Sequence, residues 1–157
     1  MNSQTTVDSP VGPLTLVASG RALAGVYMVE QRHLPALAFD RDDTILPAAR
    51  EQLAAYFRRE LKEFDVELEL AGTPFQQAVW AGLQQIPYGE TWSYGELAAH
   101  LGKPLASRAV GLANGKNPVS VVVPCHRVIG SGGNLTGYGG GLARKQWLLD
   151  LEGGEQA

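Results

Sequence analysis

Gly102-Lys103-Pro104 interrupts a stretch that otherwise has helical character, and this break restricts residues 94–113 to a helix, a short turn and a second helix. The first, Tyr94 to Leu101, is opened by Ser93-Tyr94-Gly95-Glu96, an S-x-x-E capping box in which the serine and glutamate satisfy each other's free amides. The second runs from Leu105 to Ala113. Ahead of this pair, Thr73 can cap a further helix with Pro74 at its first position and Phe75, Ala78, Val79, Leu83 and Ile86 on one face. Leu142 to Leu151 reads as a closing helix, so this half of the chain is mainly helical.

The first seventy residues carry a different pattern. Strand-like Gln4 to Asp8 and Leu14 to Ala18 flank Ser9-Pro10-Val11-Gly12-Pro13, which predicts a hairpin. Leu23 to Met28 can add a third strand, and Asp65 to Leu70 alternates acidic and apolar residues as a half-buried strand does. Between them, Pro47 to Leu61 places Leu53, Tyr56, Phe57 and Leu61 at helical spacing. Residues 1–70 are therefore expected to form a sheet-and-helix scaffold lobe. A second domain, 71–157, starts at Ala71-Gly72.

A composition of 45% hydrophobic and 18% charged residues over 157 positions excludes a disordered chain. No basic segment leads into an apolar one at the start, and no run of about 18 apolar residues occurs, so the expectation is a cytoplasmic protein with no membrane contact. The net charge of -3 argues against a broad polyanion-binding face. It is uneven, however: residues 1–70 carry -4 and residues 71–157 carry +1, so any nucleic-acid contact belongs to the second part and is local.

The second helix of the pair is built from small residues, Ala106, Ser107, Ala109, Gly111 and Ala113, with Arg108 as its one long polar side chain before Asn114. That composition disfavours a reader of major-groove base edges and suits close approach to a backbone or a narrow groove. Tight helix packing explains the same alanines. Beyond it, Asn117-Pro118 precedes Val119 to Val123, a β-branched run expected to be a short buried strand that delivers Pro124-Cys125-His126-Arg127 to a turn.

Cys125 is the sole cysteine and forms no internal disulfide, and with His33, His100 and His126 scattered along the chain there is no recognisable zinc set. A lone cysteine is commonly a small buried hydrophobe. Beside His126 and Arg127, positive charge or a base would instead favour its thiolate. Neighbouring side chains on a strand point apart, so a Cys-His pair there needs a bend or a bridging water. Asp150 and Glu152 are the acids available to orient the imidazole, and Gly137-Tyr138-Gly139-Gly140-Gly141 supplies a close-approach wall.

At these residues the chain resembles the O6-alkylguanine-DNA alkyltransferases, also called methylated-DNA-protein-cysteine methyltransferases. The resemblance runs through Ile86-Pro87-Tyr88-Gly89-Glu90-Thr91, Ser93-Tyr94, Arg108-Ala109-Val110-Gly111, Asn117-Pro118, Pro124-Cys125-His126-Arg127-Val128-Ile129, residues 137–141 and Leu148 to Gly153. It covers nearly all of residues 73–153 in the family's order and spacing, and the Ser9 to Leu14 hairpin also looks like the family's first lobe.

The resemblance implies an α+β fold: a small N-terminal sheet-plus-helix lobe, then a mainly helical lobe with a winged helix-turn-helix-like DNA-binding motif and an active-site Pro-Cys-His-Arg turn. It implies a DNA repair protein that flips an alkylated guanine out of the duplex and moves the O6-alkyl group to Cys125, irreversibly and once per molecule, with O4-alkylthymine as a further substrate. By the same matching, His126 is the water-mediated base, Glu152 orients it, Asn117 fixes the preceding turn, and Tyr94 helps rotate the phosphate and supplies a proton toward guanine. Tyr138, Gly139 and Val128 line the base pocket. Arg108 fills the gap left in the stack, and Ala106, Ser107, Ala109 and Gly111 lie along the minor groove of duplex DNA, bound by a monomer with little sequence specificity. No metal or other cofactor is implied, because the first lobe lacks the cysteines that hold zinc in some relatives. Two other readings use the same residues: a lesion sensor that binds without transfer, against which the retained Cys125 argues, and a Cys-His hydrolase, for which Asn117-Pro118 and Arg108 would have no purpose.

Overall fold

In a computed structural model that describes residues 2–29, 40–133, 135 and 138–153, the expected hairpin joins β1 (Asn2–Val7) to β2 (Leu14–Ser19), paired antiparallel from Val7 opposite Leu14 to Asn2 opposite Ser19. Its turn closes through the Ser9 hydroxyl, which donates to the Gly12 carbonyl at 2.6 Å, and through Gly12 N–H, which donates to the Ser9 carbonyl at 3.0 Å. Gly12 sits at φ 98, where a side chain would be strained. β3 (Ala22–Met28) adds antiparallel to β2, and β4 (Asp40–Arg41) adds parallel to β1, giving the order β3-β2-β1-β4. Two exposed residues long, β4 has no hydrophobic pattern by which a sequence could announce it.

Helix α1 (Pro47–Phe57) buries Ala49, Leu53 and Tyr56 and ends four residues before the expected Leu61. The cause is local: Arg59 turns left-handed at φ 63, and Glu60 N–H reaches back to the Ala55 carbonyl at 2.8 Å. Asp65 to Leu70 is not a strand either. Its alternation is real in burial, with Val66, Leu68 and Leu70 half-buried and Asp65, Glu67 and Glu69 exposed, but only Leu68 makes a bridge, to Leu23. The free edge of β3 is shared between two segments, since Val26 on that edge bridges to Val119 of the second half. Each covers part of an edge that would otherwise invite pairing with another chain.

Helix α2 (Pro74–Leu83) starts with the Thr73 cap, reinforced by the Gln76 side chain into a capping box. The expected buried face is rotated: Ala78 is exposed, and Trp80 is buried with its indole N–H donating to the Ala113 carbonyl at 2.9 Å. Burying an indole gains far more than burying a methyl, provided its N–H finds an acceptor. β5 (Trp92–Ser93) leads into α3 (Tyr94–His100) through the Ser93–Glu96 capping box. Helix α4 (Ser107–Gly115) begins two residues later than expected, leaving Leu105 fully exposed in the turn. α3 and α4 pack on each other and on α2 as a helix-turn-helix. A three-residue 3-10 turn (Cys125–Arg127) then leads into β6 (Val128–Ile129), which pairs parallel with β5, and α5 (Leu142–Gly153) closes the described chain.

The expected α+β class is therefore the observed one. Leu14, Leu16, Val26, Leu53 and Tyr56 of the first half share one hydrophobic core with Trp80, Leu83, Leu97, Val110 and Leu148 of the second. No helix among the described residues is long and apolar enough to cross a membrane.

Candidate active site

The valine run before the cysteine is not the expected strand. Val119 contributes a single bridge, residues 120–122 turn, and Val121 takes φ 73, a left-handed conformation costly for a β-branched residue. Pro118 and Pro124 have no N–H to continue a ladder on either side. Asn117 takes the place of the missing strand partner: its Oδ1 accepts from Val119 N–H at 3.0 Å, and its Nδ2 donates to the Val123 carbonyl at 2.8 Å. The chain then tightens, with Arg127 N–H donating to the Pro124 carbonyl at 3.0 Å. In a 3-10 turn successive side chains are about 120° apart rather than on opposite sides. His126 and Arg127 consequently both reach Glu152 on α5.

Glu152 is the centre of a buried cluster. His126 Nε2 lies 2.6 Å from its Oε2, Arg127 Nε donates to Oε1 at 2.7 Å and Nη2 to Oε2 at 3.0 Å, and the Tyr56 hydroxyl donates to Oε2 at 2.5 Å. Arg127 Nη1 also donates to the Ile86 carbonyl at 2.7 Å. Burial alone would raise the Glu152 pKa, but the charges and donors of His126 and Arg127 outweigh it and hold the group at about 2. Burial pushes His126 below the usual imidazole range in spite of Glu152, so the ring is neutral at neutral pH. An ionised carboxylate only accepts, so Nε2 carries the ring proton and Nδ1 is the bare nitrogen. That Nδ1 is buried and has no hydrogen-bond partner among the described residues. Asp150, the other acid considered, instead accepts from Gln146 on the exposed side of α5.

Cys125 is buried beside this cluster, and burial pushes its thiol up to about 11, against the lowering pull of the Asn117 hydrogen bond and the Lys145 charge. The resting group is thus a thiol, not the expected thiolate, because removing an anion from water outweighs its neighbours. The positive neighbour is also a different one. Arg127 is engaged with Glu152, while Lys145, fully buried on α5, donates to the Val128 carbonyl at 2.5 Å and is itself pushed down to about 8 by burial. Asn114 lies under the thiol residue, its Nδ2 donating to the Cys125 carbonyl at 3.4 Å. Tyr138 is buried, with Ser120 and Cys125 acting on its hydroxyl, whose pKa burial raises well above the usual phenol value. Val128 is buried next to the turn and Gly139 is half-buried; Gly137 lies outside the described residues.

Among the residues expected to meet DNA, Ser107, Arg108 and Ala109 are exposed on α4, while Ala106 is half-buried. Gly111 is half-buried where α3 packs on α4, and a Cβ there would stand 3.5 Å from the ring of Tyr94, an ordinary contact distance. Tyr94, half-buried at the start of α3, links that packing to the surface. A surface cleft of about 400 Å³ borders the turn through Val122, Pro124 and Arg127, and one of about 460 Å³ lies on the first lobe; neither is lined by Cys125. Among the described residues no group of three or more His, Cys, Asp or Glu side chains could hold a metal ion, and His33 lies outside them. Tyr56, Lys145 and Asn114 are site residues that the sequence does not single out, and Arg127, read there as a neighbour of the thiol, is instead a partner of Glu152. Nothing local in the sequence marks Tyr56, Lys145 or Asn114.

Residues 74–154 match the family model for the 6-O-methylguanine DNA methyltransferase DNA-binding domain, and residues 3–70 match that for the same family's ribonuclease-like domain. A methylated-DNA-protein-cysteine methyltransferase of Mycobacterium tuberculosis is 57% identical over 148 residues, 94% of this chain and 90% of that protein. One from Methanosarcina acetivorans is 49% identical over 149 residues, 93% of this chain and 95% of that protein. The crystal structure of the Mycobacterium tuberculosis protein in complex with DNA superposes with a TM-score of 0.93 at 56% identity, covering 96% of this chain and 92% of that one.

Proposed function

The chain belongs to the 6-O-methylguanine DNA methyltransferase family, and from that premise we propose how its own residues carry out the transfer. It is a DNA-binding repair protein whose activity moves a methyl group from methylated DNA to a protein cysteine. Cys125, its only cysteine, is the acceptor.

The observation that carries the reading is the bare Nδ1 of His126, fixed by Glu152 within the turn that bears the thiol. A thiol at about 11 needs a base at the moment of attack. Its proton passes through a bridging water to Nδ1, which becomes imidazolium against a carboxylate already ionised. As the S–C bond forms, the C–O6 bond breaks and the electron pair goes to the guanine, which takes up a proton that we assign to Tyr94. The product thioether is not released, so each molecule acts once. Asn117 holds the turn, Val128, Tyr138 and Gly139 line the base pocket, and Lys145 offsets charge on the sulfur.

The substrate is O6-alkylguanine flipped out of duplex DNA. Arg108 occupies the vacated position, and Ala106, Ser107, Ala109 and Gly111 approach the minor groove. Residues 1–70 serve as scaffold and 71–157 as the DNA-binding and transfer domain, in a cytoplasmic monomer.

Intact mass after incubation with duplex DNA containing O6-methylguanine tests this. One added methyl per protein, mapped to Cys125 and lost in Cys125→Ser, is expected. Product in molar excess over protein, a label elsewhere, or retention of the lesion with unchanged mass overturns it, the last in favour of a sensor.

A further inference from the structure

We infer that Tyr56, delivered by helix α1 of the first lobe, is a positioning residue for alkyl transfer, its hydroxyl fixing which nitrogen of His126 is free to act as base. The inference rests on His126 being that base. Glu152 and Tyr56 are 96 residues apart in sequence and joined by a hydrogen bond of 2.5 Å in the interior.

The argument begins with what a phenol at this place is for. Tyr56 is fully buried, and its ring is held by Phe57 and Phe64 at centroid distances of 5.2 and 5.3 Å and by the edge of Tyr88 at 6.3 Å. Phenylalanine would fill the same space with no polar atom to satisfy, so a buried hydroxyl is accounted for only by its partner. Here the partner is the carboxylate oxygen that also faces His126 Nε2.

Filling that oxygen has a directional consequence. A carboxylate whose Oε2 receives Tyr56, His126 and Arg127 and whose Oε1 receives Arg127 is stabilised as the anion. Burial and the adjacent Glu152 charge raise the Tyr56 pKa far above the phenol range, so it remains a donor at every working pH. His126 must then donate through Nε2, and Nδ1 is left bare. Without the hydroxyl, Glu152 carries its charge less dispersed, which favours both its own protonation and the imidazolium. Each change raises a pKa and removes the base as pH falls.

Tyr56→Phe is the test, read by single-turnover transfer from a methylated duplex across pH 5 to 9, with His126→Ala run in parallel. The expected result for Tyr56→Phe is unchanged affinity for undamaged duplex, a rate lowered about tenfold at pH 7, and an acid limb displaced upward by at least about half a unit. Simple core filling would leave that limb in place. A wild-type rate and limb for Tyr56→Phe, with His126→Ala slow, overturns the inference alone; a wild-type rate for His126→Ala removes the base and the inference with it. If Tyr56→Phe does not fold, nitrogen-15 spectra of histidine-labelled wild-type protein decide: the Nε2–H tautomer at neutral pH supports the inference, and the Nδ1–H tautomer overturns it.

Discussion

The side-chain amide of Asn117 donates to the carbonyl oxygen of Val123 at 2.8 Å, closing a loop of backbone that ends two residues before the thiol. With Val119 N–H bonded to the same side chain at 3.0 Å, one residue replaces the two strand contacts that the flanking prolines deny. The loop contains a valine at φ 73, so it persists only because its surroundings overdetermine it.

Asn117→Ala should therefore cost about 2–4 kcal/mol, by leaving a buried amide and a buried carbonyl unpaired. Transfer should also slow, since the hydrogen bond that lowers the Cys125 pKa is lost. Urea unfolding and single-turnover rates check both parts. A stability within about 0.5 kcal/mol of wild type would show that the loop holds itself.

Acid should destabilise the fold through the Glu152 cluster. The carboxyl is held at about 2 against an ordinary 4.5, so unfolded chains bind more protons between these values, and stability is full above pH 4.5 and lost as pH falls toward 2. The contribution is about 3 kcal/mol. His126, lowered by burial, acts in the same direction from about pH 6.5 downward, because it charges more readily once exposed. Denaturation at a series of pH values should show this slope. In Glu152→Gln the portion below pH 4.5 should flatten, and parallel curves for the two proteins would remove Glu152 from the acid response.

Alkylation should loosen the protein. Cys125, Val128 and Tyr138 are buried in the same hydrophobic core, and forcing an extra methyl or benzyl group into such a site costs about 1–3 kcal/mol. That corresponds to a drop in Tm of roughly 2–12 °C for a domain of this size. Thermal melts before and after complete methylation measure it, and an unchanged or higher Tm would mean that the group is accommodated in free space.

Arg108, exposed on α4, separates base flipping from chemistry. Its planar cation can stack and donate at once in the gap left by an extruded base. Arg108→Ala should slow repair of duplex substrate at least about tenfold, equivalent to about 1.4 kcal/mol, and spare reaction with free benzylguanine, which needs no flipping. Equal losses on both substrates would instead indicate a damaged pocket, and no loss on either an inert surface charge.

The sequence by itself determined the features that depend on a few neighbouring residues. The Ser9–Gly12 turn, the Thr73 cap, the Ser93 capping box and the break at Gly102-Lys103-Pro104 form where the sequence places them, because hydrogen-bond and steric rules act over three or four residues. The run of motifs through residues 73–153 likewise pointed to the family, and the family models and relatives show it. Tertiary structure decided what depends on burial and distant partners. Val119 to Val123 reads as a strand from its β-branching, yet the edge of β3 accepts it at one residue only and Asn117 bends the rest. Trp80 displaced Ala78 from the core because an acceptor waited on α4. Arg127 beside Cys125 reads from sequence as the thiol's positive neighbour, but a buried carboxylate on α5 claims it, and it is the charge of Lys145 from the same helix that pulls the thiol pKa down. Tyr56 looked like scaffold for the same reason: its hydroxyl gains meaning only when the fold brings Glu152 to it across 96 residues of chain, and electrostatics in a dry interior depends on such arrivals rather than on spacing.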